Sequence, residues 1–176
     1  MMRGELYKDD RGLPLIVLEN ENNSAVAVNL TDGMILCGRD WWNEGAAKQI
    51  TAREAWALCV EYRLARLPLS RRTDPVILSD LTLINNLDVT CDDRFHIGDL
   101  YEDGGYNPCL CCAIDAREGV DFYGISLVDG SMPRMADIRH AQRLTPAEAW
   151  IWRTLGPQGY PKEQIDVDFA VRHRWW

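Results

Sequence analysis

The sequence predicts an α+β protein built as a tandem duplication of a small antiparallel β-meander, each copy followed by one helix. Three observations predict it. The first is a repeated helix start: residues 51–56 (T-A-R-E-A-W) recur 94 positions later as residues 145–150 (T-P-A-E-A-W). The second is a repeated opening, since residues 4–9 (G-E-L-Y-K-D) return at the same offset as 98–103 (G-D-L-Y-E-D). The third is what lies between. Pro108 answers Pro14, while Leu127, Asp129 and Gly130 answer Leu30, Asp32 and Gly33 at an offset of 97, and this slip is undone before the second Thr. Matches in order with one self-cancelling loop change are the mark of an internal repeat.

In the first copy, residues 4–7 open a short strand and 8–12 form its turn. Pro14 heads the apolar run 15–18, which suits a strand covered on both faces. A polar turn at 19–24 leads to a strand over 25–30, and Asp32-Gly33 is a strong hairpin signal. Residues 34–37 return as the fourth strand, and 38–49 read as a loop holding Trp41-Trp42. Thr51 with Glu54 forms a capping box. Trp56, Cys59, Val60, Leu64 and Leu67 then share one helical face, and Pro68 stops the helix.

Residues 69–97 join the copies. The stretch 75–89 carries both strand-like and helix-like spacing, and the sequence does not choose between them. The second copy repeats the plan through 98–101, 108–114, 122–128, the Asp129-Gly130 turn and a return near 131–135. Thr145 and Glu148 form the second capping box, with Pro146 at the first helical position. Gly156-Pro157 ends that helix. In the tail, Ile165, Val167, Phe169 and Val171 alternate with Asp166, Asp168, Ala170 and Arg172, a period of two that predicts a strand added to an existing sheet. The expected organisation is a first module at 1–68, a linker at 69–97, a second module at 98–157 and a tail at 158–176. Strands this short favour a partly closed SH3-like barrel in each module, with an open sheet covered by its helix as the alternative. Modules this small are expected to pack on each other.

Composition narrows the function. No long apolar run or signal-peptide core is present, so the expectation is a cytoplasmic protein without a membrane span. A net charge of −8 disfavours direct binding to nucleic acid and suits a basic protein partner. Cys109, Cys111 and Cys112, with Cys91, His96 and His140, raise a zinc site. Against it, the three cysteines stand where the first copy has Leu15, Val17 and Leu18, as small hydrophobes would. The expectation is therefore no metal and no cofactor. The sequence holds no Gly-rich phosphate loop, no G-x-S-x-G and no H-E-x-x-H, and its acidic pairs fall in predicted turns, so a non-enzymatic protein is expected.

The Trp pairs are the best functional pointers. Adjacent residues of an extended chain face opposite ways, so one ring of each pair is hard to bury. At the offset of 94, Trp42 meets Ala136, which suggests that the module does not need the ring. Trp41, Trp42, Trp175 and Trp176 are the expected partner contacts, with Asp40 and Glu44 steering a basic partner.

The motifs G-D-L-Y-E-D at 98–103, P-C-L-C-C at 108–112, I-S-L-V-D-G at 125–130 and L-T-P-A-E-A-W at 144–150 resemble small proteins of phages and prophage-bearing bacteria. The resemblance covers about a third of the chain and implies a phage or mobile-element setting, with no particular activity. Small acidic proteins of that setting often block host machinery by contact, as anti-CRISPR and other anti-defence proteins do. The leading expectation is thus a protein-binding inhibitor. A structural component of a phage particle, self-associating into a homo-oligomer, and a metal- or ligand-binding regulator are the alternatives.

Overall fold

The computed structural model describes residues 3–21, 24–37, 47–75, 78–79, 95–104, 107–115, 121–137 and 139–155. The architecture is α+β, with two antiparallel five-stranded sheets and two long helices. The first half holds β1 (Leu6–Lys8), β2 (Pro14–Glu21), β3 (Ser24–Asn29), β4 (Ile35–Cys37), β5 (Lys48–Gln49) and α1 (Ala52–Arg66). A 3-10 turn follows at Leu69–Arg71. The second half holds β6 (Leu100–Glu102), β7 (Pro108–Asp115), β8 (Asp121–Ser126), β9 (Arg134–Asp137), β10 (Gln142–Leu144) and α2 (Pro146–Leu155).

Each sheet contains the expected meander, and each adds a fifth strand on the far side of its first: β5 beside β1, β10 beside β6. The sequence places β5 in a loop. Lys48-Gln49 is two exposed polar residues, so no hydrophobic period marks it, and pairing with β1 alone defines it. The expected partial closure into an SH3-like barrel is not found. Both sheets are open, with β4 and β5 at opposite edges of one and β9 and β10 at opposite edges of the other. Edge strands of two to four residues offer little to pair across a seam. The inner faces are covered instead by the helices and by the other sheet.

One core joins the halves. Ile16, Leu18, Val28 and Leu30 of sheet one meet Leu110, Cys112, Ile125 and Leu127 of sheet two, with Trp56 and Trp152 from the helices between them. Both helices lie across β2 and β7, so each packs on its own sheet and on its neighbour's. Both capping boxes form: Thr51 N–H donates to Glu54 Oε2 at 2.7 Å, and Thr145 N–H to Glu148 Oε2 at 2.7 Å. Trp56 and Trp150 hold the same place on their helices but differ in burial. Trp56 is buried, Trp150 half-buried, and Trp152 takes the inner position on α2.

The run at 15–18 is buried on both faces, as expected. β2 and β7 also carry a register shift at the same offset, between Val17 and Glu19 and between Cys111 and Ala113. The bulge turns Cys112 and Ala113 toward the shared core, while Cys109 and Cys111 pack on the other face with Phe95, Tyr101 and Phe122. Curvature brings the Tyr101 hydroxyl on β6 to Arg134 O on β9, where it donates at 2.8 Å.

The two Asp-Gly turns interlock. Gly33 (φ 74°) and Gly130 (φ 67°) both need the left-handed region. A Cβ on Gly33 would lie 2.0 Å from Val128 O, and one on Gly130 2.7 Å from Leu30 O. Two arginines tie this contact across the halves. Arg63 of α1 donates to Gly130 O at 2.5 Å and Met132 O at 3.1 Å. Arg153 of α2 donates to Leu127 O at 2.9 Å and also to Gly33 O. In the unsettled stretch 75–89, Pro75, Leu78 and Ser79 are helical, and the remainder lies outside the described residues. Among the described residues no helix is long and apolar enough to cross a membrane.

Candidate docking edge

The turn before β4 is built by short polar side chains. Thr31 N–H donates to Asn29 Oδ1 at 3.0 Å, Met34 N–H donates to Asp32 Oδ1 at 3.0 Å, and Gly33 N–H donates to Asn29 O at 2.8 Å. These bonds are Asx-turn chemistry, and they launch β4 in one register. The strand pairs Ile35 with Val28, Leu36 with Ala27 and Cys37 with Val26. Residues directly opposite share a face, so Ile35 and Cys37 lie on the core side, beside the fully buried Val28. The cover stops short of them. Ile35 is 38% exposed, Met34 59%, and Cys37 is exposed as well. Among the described residues no strand pairs with the outer side of β4. An apolar strand with an open backbone edge and no charge of its own is a template for another strand.

The second half treats the matching edge differently. Met135 on β9 stands opposite Tyr123 as Cys37 stands opposite Val26, and it is 55% exposed. Arg134 precedes it, and Asp137 follows two residues on. Hydrogen bonds from Arg139 hold the Asp137 carboxyl well below the usual carboxylate range. Charge blunts that edge.

Two other features look chemical. A cleft of about 600 Å³ opens at the start of α2, lined in part by Arg3, Glu5, Asp99, Arg143 and Glu148. Most of its charge serves the fold: Arg143 donates to Asp99 at 2.7 Å, Tyr7 O–H to Glu5 at 2.5 Å, and Glu148 caps α2. The β7 thiols are the second. Cys112 points into the shared core and Cys109 and Cys111 into the opposite side, so one ion cannot take all three. Burial pushes each of them up, Cys111 to about 12, away from the thiolate a metal needs. His96 sits 3.7 Å from Asp99, and Cys91 lies outside the described residues. Among the described residues no group of three or more His, Cys, Asp or Glu side chains is placed to hold a metal.

All six expected contact residues, Asp40, Trp41, Trp42, Glu44, Trp175 and Trp176, lie outside the described residues, as does the predicted strand at 165–171. One inference about them changes. Trp42 does not correspond to Ala136: the register of β9 equates Cys37 with Met135, and Ala136 is a strand residue opposite Phe122. Ten residues separate Cys37 from Lys48, against six between Met135 and Gln142. The longer connection breaks the offset of 94 there. Met34 and Ile35 were not singled out by sequence reasoning. Their signal was two apolar residues just past an Asp-Gly turn, which does not distinguish an edge strand from a central one. Compared with family models, with curated proteins and with solved structures, the chain matches none.

Proposed function

We propose that this is a non-enzymatic cytoplasmic protein that docks a basic protein partner along β4, and that it serves a phage or mobile element by inhibiting host machinery through that contact. The observation that carries the proposal is the uncharged, apolar edge at Met34, Ile35 and Cys37 in a chain of net charge −8. Main-chain pairing would supply affinity, and the exposed side chains would supply specificity. The acidic surface would steer a basic partner. The expected Trp41-Trp42 contact begins four residues past Cys37, so it would extend the same surface. We further propose that the halves are copies of one ancestral unit. Their common strand order, matching bulges and paired capping boxes support that origin.

The test is quantitative capture from a bacterial lysate with wild type, Ile35→Lys and Trp42→Ala. Ile35 lies at the margin of the core, so its substitution should lower stability by no more than ~1 kcal/mol. Loss of a captured protein by tenfold or more in both variants, about 1.4 kcal/mol each, is the expected result. Equal capture by all three proteins would sink the proposal. A defined homo-oligomer with no captured protein would favour the assembly role.

A further inference from the structure

At the edge of sheet one opposite β4, β5 pairs with β1 so that Lys48 stands directly across from Lys8. Like charges placed opposite each other on paired strands are destabilising. Among the described residues neither ammonium group makes a hydrogen bond or an ion pair. Glu54 of α1 feels both charges, but its carboxylate is committed to the capping box. There it accepts from Thr51 N–H at 2.7 Å and from Thr51 Oγ1 at 3.0 Å. These bonds, ahead of the pull of Lys48 and Lys8, hold its carboxyl below the usual range.

Lys8 follows Leu6 by two residues and so shares the core-facing side with that buried leucine. With Lys48, Ile50, Glu54, Ala57 and Leu58 it lines a cavity of about 190 Å³ between β1, β5 and α1. At ~30 Å³ per water, the cavity holds roughly six. Pockets for drug-sized ligands begin at ~300 Å³, so an occupant here is small. Two lysines less one glutamate leave one positive charge in the lining, and Ile50, Ala57 and Leu58 supply apolar surface.

The second half lacks this arrangement. At the offset of 94, Glu102 stands opposite Gln142 where the first half has Lys8 and Lys48. Glu102 is buried, and the bulkier Ile151 and Trp152 take the places of Ala57 and Leu58. The same strand pair and capping box thus form without facing cations. The lysines answer no need of the shared strand order.

We propose that the cavity between β1, β5 and α1 binds a small organic monoanion, a carboxylate with a short apolar body. Its charge lies between Lys8 and Lys48, and its body rests on Ile50, Ala57 and Leu58. The anion turns a repulsive pair into a bridged one, and the single net charge of the lining favours a monoanion. β4 is the far edge of the same sheet, so failed capture in the experiment above leaves this site standing.

Benzoate is the probe. Benzamide serves as its neutral isostere, and inorganic phosphate as an anion without an apolar body. Each is titrated into the isotope-labelled full chain at neutral pH and constant ionic strength, and backbone amide shifts are followed by NMR. Benzoate should shift the amides at 8, 48–50 and 57–58 to saturation, with a Kd at least tenfold below those of benzamide and phosphate. The double variant Lys8→Gln, Lys48→Gln should bind benzoate at least tenfold more weakly. Its melting temperature should not fall, because a repulsion is removed. Ala57→Ile gives α1 the residue of α2 at an exposed position and keeps both lysines. It should weaken benzoate as much by taking up the space, and it decides the matter if the lysine variant loses stability. No saturable shift at these amides, equal binding of benzamide or phosphate, or undiminished binding by either folded variant would each overturn the proposal.

Discussion

The interlock of the two turns can be weighed by one methyl group. Gly33→Ala adds a Cβ 2.0 Å from Val128 O and 2.4 Å from Val128 C, and both obstacles are backbone. The position also has φ 74°, which costs a non-glycine residue ~1–2 kcal/mol by itself. Gly12 supplies the control. Its φ is 85°, and nothing lies within 4 Å of where a Cβ would stand. Gly12→Ala should thus lose only the backbone strain. Gly33→Ala must also push the turn at 127–131 away by more than an ångström. Overpacking of this kind costs ~1–3 kcal/mol. Displacing the turns also weakens the Arg153 bond to Gly33 O, and a hydrogen bond from a charged donor is worth ~1.5–3 kcal/mol. The expected loss is ~3–6 kcal/mol against ~1–2 for Gly12→Ala, out of a total that is typically ~5–15 kcal/mol. Urea denaturation of both variants measures the difference, and the melting temperature should fall by at least ~6 °C more for Gly33→Ala. If the two variants agree within ~1 kcal/mol, the turns do not bear on each other as described, and the shared core alone holds the halves together.

Two further outcomes follow from the buried thiols. Cys111→Val should keep the fold at a cost under ~1.5 kcal/mol, because Val17 already fills the same place on β2 beside the same bulge; circular dichroism and urea midpoints check this. Stability should also fall in alkali. Burial raises Cys59 and Cys111 from near 9 to about 12 in the folded chain. Raised values give stability that is complete below pH 9 and lost as pH climbs toward 12, because the unfolded chain releases protons that the folded one keeps. The slope is up to ~1.4 kcal/mol per pH unit for each thiol. Urea midpoints between pH 7 and 11 should be flat to about pH 8 and then decline, with a shallower decline in Cys59→Ala.

The elements written in strong local signals were legible in the sequence. Thr51 with Glu54, Thr145 with Glu148, the Asp-Gly turns and the apolar run at 15–18 each rest on short-range chemistry, and each is found in place. What local signals do not encode was missed. β5 and β10 exist only through pairing with β1 and β6. The openness of the sheets reflects helices that cross between halves, a long-range choice. Arg63 and Arg153 fall on the apolar side of their helices by spacing, but their charge gives no sign of the turns into which both donate. The candidate edge was hidden for the same reason: no property of Met34 or Ile35 announces that the next strand over is absent.

The differences between the halves point to where a function would be placed. The same carbonyl in each sheet is held from its own helix: Cys59 donates weakly to Leu30 O at 3.4 Å, and Arg153 at the matching position donates to Leu127 O at 2.9 Å. Only the arginine is long enough to continue across to Gly33 O. In α1 the crossing falls to Arg63, one turn further on. Two halves of the same strand order are thus clasped unequally, and the end of α2 is brought to the turn before β4. At that place sheet one has none of the charge that blunts β9, and its next connection runs four residues longer. Exposed apolar edges are a hazard that folded proteins ordinarily suppress. The second half blunts it with Arg134 and Asp137, and the first leaves Met34 and Ile35 open. An open edge in only one of two halves that otherwise share a strand order is what the proposed docking requires, and it is the reason to look for the occupant there.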